Sequence, residues 1–241
     1  MGSKEKINQL KKELYRAEVI YAWDYEGAGL KYNNLFNWVS SVFIGLLILL
    51  FFWSVSEDIT LNSFSFWVIF TFLTIMVLVS RYLFTPDKHR CYHLTSMGIH
   101  YKEQDMIPEV AYKIARGFAW VGIVVCIIVA FMLGPLAFVG AGAFALMSFG
   151  MTNFQSTVDK SHIFIDERSV VFHIINDGVV SLTIPEKGAY GYIGDIYTQT
   201  LEQKAELLSH LKLLFPEMEM VKIKRLNDQY KHPVYQQDEV A

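Results

Sequence analysis

Charge is scarce in this chain, and its gaps are long. Of 241 residues, 19% are charged and 53% hydrophobic, and three stretches, 32–56, 59–80 and 117–151, contain no Asp, Glu, Lys or Arg at all. Uncharged runs of that length exclude a purely soluble domain. Cysteine is nearly absent: Cys91 lies in a charged segment and Cys126 inside an apolar run, which excludes a disulfide framework. There is no basic excess either. A net charge of −3 argues against nucleic acid as a partner. No G-x-S-x-G, H-E-x-x-H or P-loop is present, so motif-borne hydrolase, metalloprotease and nucleotide chemistry is missing and the chain reads as a non-enzyme without a cofactor. The "GAGAFA" at 140–145 matches a loose dinucleotide pattern, but it sits inside an apolar run with no strand before it.

The N-terminus has no secretory signal pattern, because Lys4, Lys6, Lys11, Lys12 and Arg16 precede any apolar core. Gly2 is followed by Lys6 where a myristoylation motif wants Ser or Thr. Membrane attachment is therefore expected through spanning helices. The first runs from Leu35 to Val55 with Trp38 and Trp53 near its ends, as interfacial aromatics would stand. The second occupies 59–80 and ends at Arg81. Lys and Arg number six in residues 1–34, none between the two spans and six in 81–116. The excess of positive charge on the inner side then places the N-terminus and the 81–116 segment in the cytoplasm, at a cell inner membrane.

The third run poses a length problem. Its 35 residues would make a helix of about 52 Å, against a hydrocarbon core of about 30 Å. Pro135 lacks an N–H and disfavours helix at Gly134. Each half, Gly117–Leu133 and Pro135–Met151, has 17 residues, the short end of a spanning helix. A tight hairpin turning at Gly134 and Pro135 is expected, with both ends cytoplasmic; one long tilted or kinked span is the alternative. Nine Lys/Arg follow the run, in agreement with a cytoplasmic C-terminus. Ala137, Ala141, Ala145 and Ser148 recur at helical spacing with Gly140 beside them. Small residues let helices approach closely in a membrane, so this stripe is the expected helix-packing surface.

Outside the spans, Ile7, Leu10, Leu14, Ala17 and Tyr21 recur at three-four spacing and predict an amphipathic helix over 3–23 within an N-terminal segment 1–34. In segment 85–116, Cys91–Thr95 and Ile99–Lys102 suit strands around a Ser96–Gly98 turn, and Pro108–Arg116 a helix. Segment 152–226 holds three strand-like runs, with Asn176-Asp177-Gly178 as a hairpin turn. Thr200 and Gln203 open a helix that Pro216 stops. Residues 218–226 add a further strand, and 227–241 read as a disordered tail. The expected fold class is an integral membrane α-helical protein of four spans, the last two a tight hairpin. A small cytoplasmic α+β domain joins segments from both sides of that hairpin.

His89, Cys91, His93 and His100 are metal-capable. On one strand, however, His89 and His93 stand about 13 Å apart, so four ligands do not converge and no metal site is predicted. Two spans followed by Arg90, Leu94, Gly98-Ile99 and Ile107-Pro108 resemble bacterial membrane proteins carrying a PH-like β-domain. That resemblance covers about thirty residues, implies a fold and implies no catalytic residue. The spans hold no ionisable group, which argues against coupled transport. The resulting expectation is a non-enzymatic scaffold, regulator or accessory component of a bacterial inner-membrane assembly, with a small oligomeric channel or transport subunit as the alternative. Its expected partners are the lipid bilayer and further copies of itself or other membrane proteins.

Overall fold

The computed structural model describes residues 3–55, 60–134, 146, 148–185 and 190–236. The chain divides into two units. Met1–Ile44, Asp87–Gln104 and Val158–Ala241 form the first, and Gly45–Pro86 and Asp105–Thr157 the second.

The first unit contains two four-stranded sheets. Sheet 1 is ordered β1 (Val19–Gly27), β2 (Lys88–Thr95), β3 (Gly98–Asp105), β4 (Val158–Phe164). Sheet 2 is ordered β7 (Gly194–Tyr197), β6 (Val179–Thr183), β5 (Val170–Ile174), β8 (Glu219–Ile223). Antiparallel pairing dominates, but β8 runs parallel to β5. A parallel partner needs a crossover, and helix α5 (Leu201–Leu214) precedes β8 as that connection. The two sheets and α5 share one core. Tyr92, Leu94 and Ile99 from sheet 1 meet Val171, Leu182 and Ile196 from sheet 2 and Leu207 and Leu211 from the helix.

Period two decides the faces. Val171 points into this shared core, while Val170, Phe172 and Ile174 point to the other side of sheet 2. There they are covered by Leu226, Val234 and Tyr235. Residues 226–236 are therefore structured, where a disordered tail was expected from 227; residues 237–241 lie outside the described residues. The structured segment forms a 3₁₀ turn over Leu226–Lys231 and one helical turn, α6, over Pro233–Gln236, with Gln229 buried. Apolar residues on both faces of β5 need cover on both, and this segment supplies the second.

The N-terminal segment also departs from the expected single helix. Helix α1 covers Ser3–Leu14 and stops; Val19–Gly27 is the edge strand β1. Val19, Ile20, Tyr21, Trp23 and Tyr25 are β-branched or aromatic, and such residues suit a half-buried pleated surface. Trp23 stacks on Tyr92 with ring centroids 4.9 Å apart, and Trp23 and Tyr25 are both buried. That burial outweighs the helical spacing of Ala17 and Tyr21.

The second unit is helical. α2 (Asn33–Val55) enters it at Gly45, and α3 (Phe64–Val79) and α4 (Glu109–Leu133) belong to it. Among the described residues, three helices are long and apolar enough to cross a membrane: Asn33–Val55, Phe64–Phe84 and Glu109–Val129. Their large apolar side chains are mostly exposed, including Phe43, Leu46, Trp67, Phe72, Val121 and Phe131. Ser63 caps α3, its side chain accepting from the Phe66 N–H. A π-turn, Ser80–Phe84, extends α3. There Arg81 is buried and donates to the Thr85 carbonyl at 2.7 Å. α4 runs without interruption through residues 116 and 117, so its polar first turns and its apolar remainder are one helix.

Candidate functional site

The four strands of sheet 1 bring their loop-bearing ends together. Gly27 pairs with Lys88 across β1–β2, and Gln104 with Val158 across β3–β4. At that end the core-facing side of the sheet becomes polar. Lys88 and Arg90 of β2 both bind the Glu103 carboxylate, with Arg90 Nε at 2.6 Å from Oε2. Arg90 lies opposite Tyr25 in register, and its guanidinium covers the Tyr197 ring at 4.7 Å and the Tyr25 ring at 5.9 Å. Alternation along β2 places Lys88, Arg90, Tyr92 and Leu94 on this face, and the last two reach the dry core. Burial alone would raise the Glu103 pKa, but the hydrogen bonds from Lys88 and Arg90 outweigh it and hold the carboxyl below the usual glutamate range. Burial pushes the Tyr197 hydroxyl up to about 12, with Asp195 adding to it. It remains a neutral donor at physiological pH.

Beside this cluster lies a cleft of about 380 Å³, lined among others by Tyr25, Lys31, Asn176, Asp177, Tyr197 and Gln199. The β5–β6 turn forms one wall. Asn176 there takes φ 59, the left-handed region an Asn tolerates. Lys204 of α5 fixes the turn from beneath, its buried ammonium donating to the carbonyls of Ile174 at 2.6 Å and Asp177 at 2.5 Å. Gly178 leaves no room for a side chain, since a Cβ would stand 2.1 Å from the Thr198 carbonyl oxygen. Tyrosines, one exposed lysine and a fixed turn line this cleft. Among the lining residues there is no nucleophile paired with a base.

The other face of sheet 1 carries the histidines. His93 and His100 stack at 4.9 Å, the Tyr15 ring lies tilted against His100 at 4.7 Å, and His162 lies opposite His100 in register. His89 and Cys91 form a separate group, with Sγ 3.8 Å from Nε2. They stand beside Asp24 and Glu26 of β1. The metal-capable residues thus divide into two groups, and the acids that join His89 and Cys91 were missed. Reading residues 3–23 as a helix hid the register that brings them there.

Of the expected helix-packing residues, only Ser148 is among the described residues. It is buried, and with Ala111, Ala115, Ala119, Leu78 and Ile75 it lines an apolar groove of about 510 Å³ in the second unit. Ala137, Gly140, Ala141 and Ala145 lie outside the described residues, as does Pro135. Gly134 ends α4 with φ 74. Gly45 of α2 marks a close helix approach, where a Cβ would meet Val77 Cγ2 of α3 at 2.7 Å.

Comparison with known proteins gives a match along the whole chain. Residues 1–241 match the family model described as TsiV2 immunity protein. The immunity protein TsiV2 of Vibrio cholerae serotype O1 (strain ATCC 39315 / El Tor Inaba N16961) is 37% identical over 238 residues, covering 98% of this chain and 97% of that protein. No solved structure matches. The comparisons return this family where residues 90–108 had resembled PH-like β-domain proteins.

Proposed function

The chain belongs to the TsiV2 immunity protein family, and from that membership we propose that it protects the cell that makes it by binding a toxin. It is not an enzyme. Membership overturns the expected scaffold, regulator or accessory role in a membrane assembly, and the channel or transport alternative with it. The expected partners are corrected too: what the chain recognises is a cognate toxin in place of the bilayer, further copies and other membrane proteins, and a bilayer is only the proposed surroundings of the apolar helices.

In this reading α2, α3 and α4 cross the cell inner membrane, and the two sheets with α5 are cytoplasmic. Strand pairing supports an even number of crossings in each insertion. The chain leaves sheet 1 at Gly27 and returns at Lys88, its register partner. It leaves again near Gln104 and returns at Val158, also its partner. Two paired strand ends lie on one side of a bilayer, so the first insertion crosses twice, through α2 and α3. By the same pairing the second insertion also brings the chain back to the side it left. Arg116 also donates to the Phe154 carbonyl at 2.8 Å, and Tyr112 packs on the Phe154 ring. The chain therefore comes back to the start of α4 before entering β4. An immunity protein so placed meets its toxin at the membrane, and the Tyr25–Tyr197 cleft is the contact surface assigned to it. Tyrosine and arginine are the residues that most often anchor such interfaces.

The whole-length family match carries this reading. The test is co-culture of a strain deleted for this chain with its parent. The deletion strain is expected to be killed by the parent and rescued by the restored gene; equal survival of the deletion strain would refute toxin immunity.

A further inference from the structure

The geometry points to a transition-metal site on the outer face of sheet 1, in which Asp24, Glu26, His89 and Cys91 hold one Zn²⁺-class ion. Four donor side chains occupy the corners of a rectangle on neighbouring strands. Asp24 is the register partner of Cys91, and Glu26 of His89. Each pair is two residues along its strand from the other, so all four project from one face. Directly opposite Cβ atoms stand about 5 Å apart, which lets short side chains converge above the sheet.

The side-chain positions agree. One ligand atom each from Asp24, His89 and Cys91 lie within 4.8 Å of one another. His89 Nε2 is 3.8 Å from Cys91 Sγ and 4.0 Å from Glu26 Oε1. A tetrahedral zinc with its usual Zn–S and Zn–N lengths separates sulfur from nitrogen by about 3.6 Å. The existing spacing needs closure by only about 0.2 Å. A thiolate and an imidazole select a borderline-soft cation over Mg²⁺ or Ca²⁺, which take oxygen donors. His93 is next along β2, but it faces Ala22 in register and stacks on His100, so it stays out of the set. A bound ion would tie β1, the edge strand of sheet 1, to β2. The Cys91 thiol would release its proton to solvent on binding.

The reduced full-length protein in detergent micelles is titrated with Co²⁺, followed by Zn²⁺. The expected result is one Co²⁺ per chain, with a thiolate-to-cobalt charge-transfer band in the near ultraviolet that Zn²⁺ removes. The Cys91→Ser variant should keep the circular dichroism of the parent and lose the band. Asp24→Asn and His89→Gln should weaken binding by at least about tenfold, while His100→Gln leaves affinity and band unchanged. In the unaltered protein Zn²⁺ should also slow alkylation of Cys91. Absence of the band in the unaltered protein, its survival in Cys91→Ser, or alkylation of Cys91 at the same rate with and without Zn²⁺ each overturns the site.

Discussion

Gln104 and Val158 stand opposite each other in the β3–β4 ladder, so the chain re-enters sheet 1 beside the point where it left. Both positions must be reached from the same compartment. In a cysteine-substituted protein expressed in whole cells, a probe at Thr60 should react with a membrane-impermeant maleimide added outside, and a probe at Asn176 only after lysis. A C-terminal alkaline phosphatase fusion should be inactive. Activity in that fusion would remove the even-crossing topology.

Gly98 sits at φ 140 in the β2–β3 turn, and a Cβ there would lie 2.3 Å from the Ile163 carbonyl oxygen. Gly98→Ala meets both an unfavourable backbone region and a clash with β4 backbone that cannot move aside. A loss of about 2–4 kcal/mol is expected in denaturant unfolding of the first unit. A loss under about 0.5 kcal/mol, the size of an ordinary surface change, would contradict the pairing at this position.

Glu103 gives the stability of the first unit a defined acid limb. Its folded pKa is depressed, so between that value and the ordinary glutamate pKa the unfolded chain binds more protons. The stabilisation is complete above the unfolded pKa and is lost as pH falls through the folded one. Glu103→Gln should cost about 2 kcal/mol at neutral pH, because Arg90, 12% exposed, keeps no anionic partner. The variant should also lose this part of the acid slope. Parallel stability–pH curves for the two proteins would show that the pair contributes nothing.

Lys31 is exposed at the rim of the Tyr25–Tyr197 cleft. Lys31→Glu reverses a charge where the toxin is assigned and should change folding stability by no more than about 0.5 kcal/mol. In co-culture the variant is expected to survive at least about tenfold less well than the unaltered chain, a factor of ten being about 1.4 kcal/mol of binding. Full protection would move the contact elsewhere on the protein.

Much of the fold was legible where one period was unopposed. Val170–Ile174 and Val179–Thr183 read as strands because Asp177-Gly178 marks the turn between them, and Thr200 marks its helix by a side chain that accepts from Gln203 N–H. Residues 17–25 were ambiguous. Ala17 and Tyr21 continue the helical spacing of Leu14, while Tyr21, Trp23 and Tyr25 alternate at period two. Stacking against Tyr92 decides between them, and that contact is not local. The tail was misread for the same reason, since Val234 and Tyr235 look isolated until Phe172 needs a cover. The acids beside Cys91 depend on the β1–β2 register, which no short motif encodes. The proposed toxin immunity left no mark in the sequence, because recognition through the shape of a surface requires no fixed constellation of residues.

The pairing of β3 with β4 also sets an order in time. β3 ends at Asp105 and β4 begins at Val158, so a ribosome adding about 5–20 residues per second emits the partner strand several seconds later. Through that interval β3 presents an unsatisfied backbone edge, the kind of template on which other chains aggregate. A stop codon anywhere in the second insertion would make that exposure permanent. The truncated product should be cleared by proteases or found in aggregates, even though every strand from β1 to β3 had been made.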